Sequence, residues 1–273
     1  MIKEKITFGI DRKEISHFTS IELFQTINNH HTFTIKVPHS VIEKERAYTI
    51  ENAQKWLGKV LHIALDSKNN FLGIVTHIQF AQELDHVGNQ IIISGFSKTI
   101  ILESGQKLHS WQDTTLQDMV REIIKNGANE QLQNEIQPEY TSRIEYQTQY
   151  AETDFGYLQR LAKQYNEWLF FDGEKLNFGK PTKKEDNIKL VYNQDIFSLN
   201  IAVQTIPNQF SGFTYNEDTN TLYQAETQNK VDGLPKLGND AFDASQKLYT
   251  SPAFEYGKLP TGDDMFLENI LNQ

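Results

Sequence analysis

Two carboxylates that lie two residues apart, Glu152 and Asp154, are the side chains whose type and spacing most directly suggest chemistry. An aromatic-rich stretch follows them at once, up to residue 171. Carboxylates about 5 Å apart that flank a sugar can cleave a glycosidic bond. Thr153 and Asp154 can equally begin a helix, because such side chains accept hydrogen bonds from unpaired backbone N–H groups and suit the helix dipole. The helical pattern that starts directly after Asp154 favours the helix start over a carbohydrate-active enzyme using Glu152 and Asp154.

Other chemistry-bearing motifs are incomplete. The sequence has no cysteine, which excludes disulfides, thiolate catalysis and zinc–thiolate sites. Its eight histidines form no zinc-protease motif, and the pair His30–His31 falls in a predicted turn, so we predict solvated turn residues. The segment 173–181 has the wrong glycine spacing for a phosphate-binding loop and ends on Pro181 where Ser or Thr is needed. We therefore predict no catalytic residue, no cofactor and no metal ligand.

The composition and charge of the chain limit the kinds of partner that it can bind. The chain has 273 residues, 38% of them hydrophobic, and a net charge of −10. An acidic chain is a poor partner for phosphate backbones and anionic lipid, so we predict no nucleic-acid recognition. The apolar runs are too short to cross a bilayer, and no signal peptide is visible at the start. We predict a protein that is cytoplasmic at assembly, without membrane insertion.

The first hundred residues alternate apolar and polar side chains with a period of two, which predicts short strands. Strands at this spacing are typical of an antiparallel barrel or sandwich. One short helix is predicted inside this region, at 49–58. The predicted strands cover 20–27, 32–37, 59–66, 71–80 and 90–96.

The apolar period then changes to that of a helix. Two amphipathic helices are predicted at about 114–125 and 154–165, the first beginning at Asp113 or Thr114 and ending at Gly127. A strand is predicted between them at 141–150, and a hairpin turning at Asp172–Gly173 is predicted at 168–179. The apolar side chains that define the helices are Leu116, Met119, Val120, Ile123 and Ile124, then Phe155, Leu158, Leu161, Ala162 and Tyr165.

The last third is more polar. Strands are predicted at 189–193, 197–207, 209–216 and 218–228, an exposed loop at 229–241, and a helix from Asp263 or Asp264. The fold class that follows is α+β, mainly β, with the strands forming an antiparallel barrel or sandwich.

The stretch from residue 150 to 180 resembles the signature of the VgrG and phage late control gene D family. That signature has an aromatic residue, an acid-Thr-Asp-Phe turn, a helix with an Arg-Leu pair and an aromatic hairpin ending in Phe-Gly. Segments 56–80 and 110–124 also resemble the family, with Trp111 in place of its usual Phe. The predicted structural motif comprises Tyr150, Glu152, Thr153, Asp154, Phe155, Leu158, Arg160, Leu161, Phe171, Gly173, Phe178 and Gly179.

The resemblance implies the hub of a contractile injection machine. In this family, tube-type antiparallel β-barrels are separated by α/β insertions. The resemblance therefore implies a first barrel (1–100), an α/β insertion (101–180) that contains the two amphipathic helices, and a second barrel region (181–273) that is expected to be incomplete at its C-terminus.

In this family, barrels from three chains form a pseudo-hexameric ring. That ring joins a hexameric, Hcp-like tube protein to a spike. We therefore expect a homotrimer whose partners are the tube, the spike and baseplate proteins, with effectors as further candidates. A type VI secretion hub is favoured because 150–180 is more similar to VgrG, and a phage or phage-derived hub is the alternative. Export would then proceed through the machine itself, without a signal peptide.

Overall fold

The computed structural model describes residues 6–41, 53–65, 69–81, 89–181, 189–193, 196, 198–216 and 219–256. The chain divides into two compact units, 1–182 and 183–273, which are described separately below. Residues 49–52 of the predicted helix at 49–58 lie outside the described ranges, and residues 53–58 form a single helical turn that ends at Gly58, whose φ is 74°. The predicted helix from Asp263 or Asp264 lies wholly outside the described ranges. The three-domain division proposed from the sequence stays a prediction.

The first unit is built on a seven-stranded antiparallel sheet. Its strand order is β2-β1-β5-β6-β7-β4-β3, so strands distant in sequence pair at its centre. The mainly β fold class is confirmed. The strands are β1 (Thr7–Ile10), β2 (Lys13–Ile15), β3 (Ser20–Phe24), β4 (Thr32–Pro38), β5 (Val60–Ala64), β6 (Asn70–Ala81) and β7 (Gln90–Ser97).

One face of this sheet forms an apolar core because alternate side chains of each strand point the same way. Ile35 of β4 lies opposite Ile93 of β7, and both side chains are fully buried. Phe33 lies opposite Gly95 and is also buried. A side chain at Gly95 would collide with the Ile74 carbonyl oxygen and the Phe33 ring, so close packing requires glycine there.

A second layer follows the sheet in sequence and contains both predicted amphipathic helices, α1 (Leu116–Ala128) and α2 (Asp154–Gln164). Strands β8 (Lys107–Thr115) and β10 (Arg143–Glu152) pair as an antiparallel ribbon. A three-stranded sheet has the order β11-β12-β9. Its strands are β9 (Gln133–Ile136), β11 (Leu169–Phe171) and β12 (Lys175–Phe178). A 3-10 segment, Lys98–Glu103, links the large sheet to this layer.

The ends of α1 differ from the prediction. Asp113 and Thr114 belong to β8, and the cap is Thr115, whose Oγ1 accepts a hydrogen bond from the Asp118 N–H at 3.1 Å. The helix continues through Gly127 and ends at Asn129, whose φ of 44° is left-handed. Asparagine tolerates that conformation better than most residues, so it can replace glycine as the terminating residue.

The second unit contains a three-stranded sheet with the order β14-β13-β15, and a helix, α3 (Lys236–Leu248). The strands are β13 (Phe210–Asn216), β14 (Thr221–Glu226) and β15 (Ala253–Tyr256).

Three predictions for the second unit are wrong. Residues 189–193 form no strand, and an isolated bridge joins Tyr192 to Ile196. Residues 198–207 form no strand, although apolar residues alternate there, and Leu199 and Ile201 are exposed. Alternation produces a strand only where another strand pairs with it. The predicted loop 229–241 contains the start of α3 at Lys236, because Pro235 fits just before a helix and its missing N–H costs nothing there.

Candidate functional site

The end of β10 is joined to α2 by an ion pair between Glu152 and Arg160. Arg160 Nε donates to Glu152 Oε1 at 2.7 Å, and Nη2 donates to Oε2 at 2.8 Å. Nη2 also donates to the Thr148 carbonyl at 2.6 Å, and the guanidinium lies 4.7 Å from the Tyr157 ring centre. The hydrogen bonds from Arg160 lower the pKa of Glu152. Glu152 therefore stays ionised, and its ion pair with Arg160 links the end of β10 to α2.

Asp154 has a different environment, although it lies two residues away. Its side chain is only 3% exposed and forms an ion pair with Lys107 at the start of β8. Gln149 Nε2 donates to Asp154 Oδ1 at 3.2 Å. The helix cap is Thr153, whose Oγ1 accepts from the Gly156 N–H at 3.1 Å. Asp154 is thus the first helical residue, and it also forms an ion pair with a residue distant in sequence. The sequence does not indicate this partner, because Lys107 lies 47 positions away and belongs to no motif.

A cleft of about 290 Å³ opens beside this ion pair. Trp111 lines it, donates from Nε1 to Glu122 Oε2 at 3.0 Å, and stacks on Tyr157 with ring centres 5.3 Å apart. Because Asp154 is already held by Lys107 and Gln149, its carboxylate is bound to the protein rather than presented to a substrate. The cleft is lined by Lys107, Leu108, His109, Trp111, Ile123, Asn126, Gln149 and Asp154.

The apolar face of α2 packs inward. Phe155, Leu158 and Leu161 are each at most 2% exposed. Tyr157 is also buried and donates from its hydroxyl to Met119 Sδ of α1 at 3.4 Å. Burial raises the pKa of Tyr157, which therefore stays a neutral phenol at physiological pH. The two helices are consequently fixed to each other by aromatic and sulfur contacts.

His30 and His31 were predicted to be solvated turn residues, and this prediction is wrong. The His30 ring stacks on Phe155 with centres 3.8 Å apart, and its nitrogens lie 2.7 Å from Thr99 Oγ1 and 3.2 Å from Glu103 Oε1. His31 is 3% exposed. The turn is covered by α2 and the hairpin, a long-range contact that local sequence cannot reveal.

The hairpin β11–β12 is joined to the large sheet through its turn. The Gly173 carbonyl accepts from the Leu72 N–H at 2.7 Å, and Gly173 has a φ of 112°. A side chain there would collide with the Asn70 carbonyl oxygen. Phe171 and Phe178 are buried on the inner face of the hairpin.

Gly179 ends the hairpin under the same kind of constraint. Its φ is 114°, and a side chain would collide with the Gln137 carbonyl oxygen. Its N–H donates to the Trp168 carbonyl at 2.8 Å. Glycine is therefore required for backbone reasons at both positions 173 and 179.

Tyr150 lies on the opposite, solvent side of the ribbon. It is 72% exposed and lies directly opposite Leu108, which is 71% exposed. Tyr146 shares this face and is also exposed. We name these three residues the ribbon outer face; neither they nor Ser110, Gln112 and Thr148 beside them carry a charge. Exposed apolar groups of this kind mark contact surfaces.

In the ranges that the structure describes, no group of three or more His, Asp or Glu side chains is placed to hold a metal ion. No helix within those same ranges has both the length and the apolar character needed to cross a membrane.

A sequence model described as phage tail baseplate hub (GPD) matches residues 27–232. The fold is similar to the 43 kDa tail protein of prophage MuSo2 from Shewanella oneidensis, with a TM-score of 0.61 and 13% identity over 93% of this chain and 71% of that chain. It is also similar to a tail protein from Neisseria meningitidis MC58, with a TM-score of 0.61 and 9% identity over 97% of this chain and 74% of that one.

A third solved structure belongs to a complex that contains a VgrG protein. The Francisella PdpA–VgrG complex in its lidded form contains a chain with a TM-score of 0.50 and 11% identity, matched over 95% of this chain and 41% of that chain. The comparison with curated proteins returned no match. At these identities the structures show a common fold, and the family match carries the assignment.

Proposed function

We propose, from the premise that this chain belongs to the phage tail baseplate hub (GPD) family, that it is a structural hub of a contractile injection machine. The observation that carries the proposal is the family match over residues 27–232. The mainly β fold, shared with tail proteins and with a VgrG-containing complex, is consistent with it.

The proposed role is that of a trimeric adaptor with pseudo-sixfold symmetry, between a hexameric tube and a spike that delivers effectors. Within such a ring, strand edges and exposed apolar faces of each subunit would be covered by neighbours. The ribbon outer face is a suitable contact, because it is apolar, uncharged and built on a rigid pair of strands. We propose that a second copy of this chain covers it.

The test of this assembly is its mass in solution. Light scattering of the chain is expected to show a trimer, and a tube protein from the same source is expected to co-purify with it. Changing Leu108 and Tyr150 together to Ser should dissociate the trimer while each chain keeps its fold, which far-UV circular dichroism can show; the melting temperature should fall only by the stability that association adds. A matched control, Val231→Ser, removes an apolar side chain that is 42% exposed and lies outside the strands, and it should leave the trimer intact. A monomer at all concentrations, with no bound tube protein, would contradict the hub role.

Type VI secretion and a phage tail are two settings for the same hub. The VgrG-like signature from 150 to 180 favours the secretion system, whereas the family description favours a phage tail. In both settings the protein would be assembled in the cytoplasm, and in the secretion setting it would leave through the machine. Co-purification distinguishes the two, because each setting supplies a different tube protein.

We also propose that the hub acts without catalysis. Glu152 is bound by Arg160, and Asp154 is buried against Lys107, so neither carboxylate is free to transfer a proton to a sugar. The alternative glycosidase requires that Glu152→Gln abolish a hydrolytic activity while the fold stays intact. We expect no glycan-hydrolysing activity in the unmodified chain. If such an activity were detected and Glu152→Gln abolished it, the enzyme hypothesis would be restored.

A further inference from the structure

The buried turn that carries His30 and His31 is the place where the large sheet meets residues 150–179. Two backbone hydrogen bonds cross this boundary, from Asn28 N–H to the Leu169 carbonyl and from Leu72 N–H to the Gly173 carbonyl, both at 2.7 Å. A side-chain bond from Gln159 Nε2 to the Asn28 carbonyl, at 2.8 Å, adds to them. We call this set of contacts the histidine junction.

His30 fits the junction as a neutral ring. Glu103 can only accept when it is ionised, so His30 Nε2 carries the proton that faces it at 3.2 Å, and Nδ1 accepts from the Thr99 hydroxyl at 2.7 Å. The ring face is covered by Phe155. A second proton on Nδ1 would remove that acceptor and place a charge on a side chain that is only 11% exposed.

His31 is constrained in the same way. Its ring lies between Phe71 of the sheet and Phe171 of the hairpin, with centres 6.3 and 5.8 Å away. Nε2 lies 3.2 Å from the Thr26 carbonyl and must donate to it, which leaves Nδ1 to accept from Gln25 Nε2 at 3.4 Å. If Nδ1 were protonated, it and Gln25 Nε2 would both be donors, and the hydrogen bond between them would be lost.

The neighbouring charges do not offset the effect of burial on the pKa values of His30 and His31. Glu103 raises the pKa of His30, and Asp172 in the hairpin turn raises that of His31, while the two histidines repel each other when charged. Burial is the largest effect on both and lowers both pKa values below 6.5. The unfolded or opened turn therefore binds protons more readily than the closed one.

We propose that His30 and His31 form a proton-sensitive switch that opens the histidine junction under mildly acidic conditions while the large sheet remains folded. Since the closed state has the lower pKa, its stability is complete above the ordinary histidine value and decreases as the pH falls below it. The opened segment would expose Phe71, Phe155 and Phe171 together, an apolar surface that neutral pH keeps covered.

The test is hydrogen exchange on the full chain between pH 7.5 and 5.5, expressed as protection factors. The amides of Asn28 and Leu72 are expected to lose protection by about tenfold per pH unit for each histidine, in the window between its opened and closed pKa values. The amides of Ile35 and Ile93, at the centre of the sheet, should lose much less. Equal losses at all four amides, or no loss at the junction, would overturn the proposal.

Substitutions identify the titrating groups. The double variant His30→Gln and His31→Phe keeps an acceptor at position 30 and a ring at position 31 but no titratable nitrogen, so the junction amides should become insensitive to pH. The control His77→Gln alters an exposed histidine on β6 and should behave as the unmodified protein. If His77→Gln removed the pH dependence, or the double variant retained it, the assignment would be wrong. The exchange measured on the unmodified chain decides the proposal even if the double variant does not fold.

Discussion

The large sheet and the layer that follows it, residues 105–180, are stabilised by different kinds of interior. The sheet buries aliphatic and aromatic side chains in alternation, as in the Ile35–Ile93 pair. The following layer buries carboxylates: Asp154 is 2% exposed and Glu167 is 8% exposed. An apolar interior tolerates any pH and any side chain of similar volume, whereas a buried carboxylate depends on its particular partner. The difference predicts that the two regions respond differently to substitution and to pH.

The largest loss of folding stability is expected for a substitution in the core of the large sheet. Phe33→Ala removes a ring that is 1% exposed, and the loss of a buried phenyl group costs about 3–5 kcal/mol. Urea unfolding should show this loss to the same extent at pH 5 and pH 8. A loss that depended strongly on pH would remove the distinction between the two regions.

Asp154→Ala should have the next largest effect. It leaves Lys107 and Gln149 without their acceptor, at a cost of about 2–3 kcal/mol, because Lys107 is partly solvated and can turn to water. Urea unfolding of Asp154→Ala and of Asp154→Asn separates charge from packing, since Asn keeps the shape of the side chain. An effect no larger than that of an exposed aspartate, such as Asp240→Ala, would contradict the role assigned to the buried pair.

Thr153→Ala tests the helix start by itself. The Thr153 hydroxyl caps one backbone N–H of α2, and the loss of such a cap costs about 1 kcal/mol. Thr153→Ser should restore most of that stability, which thermal unfolding can measure. If Thr153→Ala cost more than Asp154→Ala, the local cap rather than the tertiary ion pair would hold the helix start.

Glu167→Gln has the smallest expected effect, and it has the opposite sign. Glu167 Oε1 accepts from the Tyr140 N–H at 2.9 Å, while Oε2 is buried without a hydrogen bond, and burial raises the pKa of this carboxyl. The folded state therefore binds the proton more tightly than the unfolded state, and stability is lost as the pH rises through the folded pKa. Glu167→Gln removes that loss.

The gain in the melting temperature of Glu167→Gln should appear at pH 8 and disappear at pH 4. Glu145→Gln is the control, because Glu145 is an exposed glutamate on β10. A gain at both pH values, or an equal gain for Glu145→Gln, would show that the buried charge of Glu167 is not responsible.

How far the sequence predicts the molecule also differs between regions. The helices could be predicted because Leu116 to Ile124 and Phe155 to Tyr165 repeat with the helical period, and these side chains are buried in the structure. Five of the seven strands of the large sheet could be predicted from alternation, whereas β1 and β2 were not predicted. In the second unit the same rule failed at Leu199 and Ile201, where no strand pairs with the alternating segment.

The contacts of the candidate site could be predicted only in part. Thr153 at the helix start follows from local rules. The partnership of Asp154 with Lys107 joins residues 47 positions apart, and the burial of His31 depends on Phe171 of a distant hairpin. Such contacts depend on the folded chain path, and no local pattern of residue types encodes them.

The stacked pair Trp111–Tyr157 gives the molecule an intrinsic optical probe. The chain has three tryptophans: Trp111 is 8% exposed, Trp168 is 41% exposed and Trp56 is half-buried, so Trp111 should emit at the shortest wavelength. Opening of the contact between β8 and the helices would shift the emission of Trp111 to the red before the sheet unfolds. With Trp56 and Trp168 both replaced by Phe, fluorescence can therefore follow the layer of residues 105–180 separately.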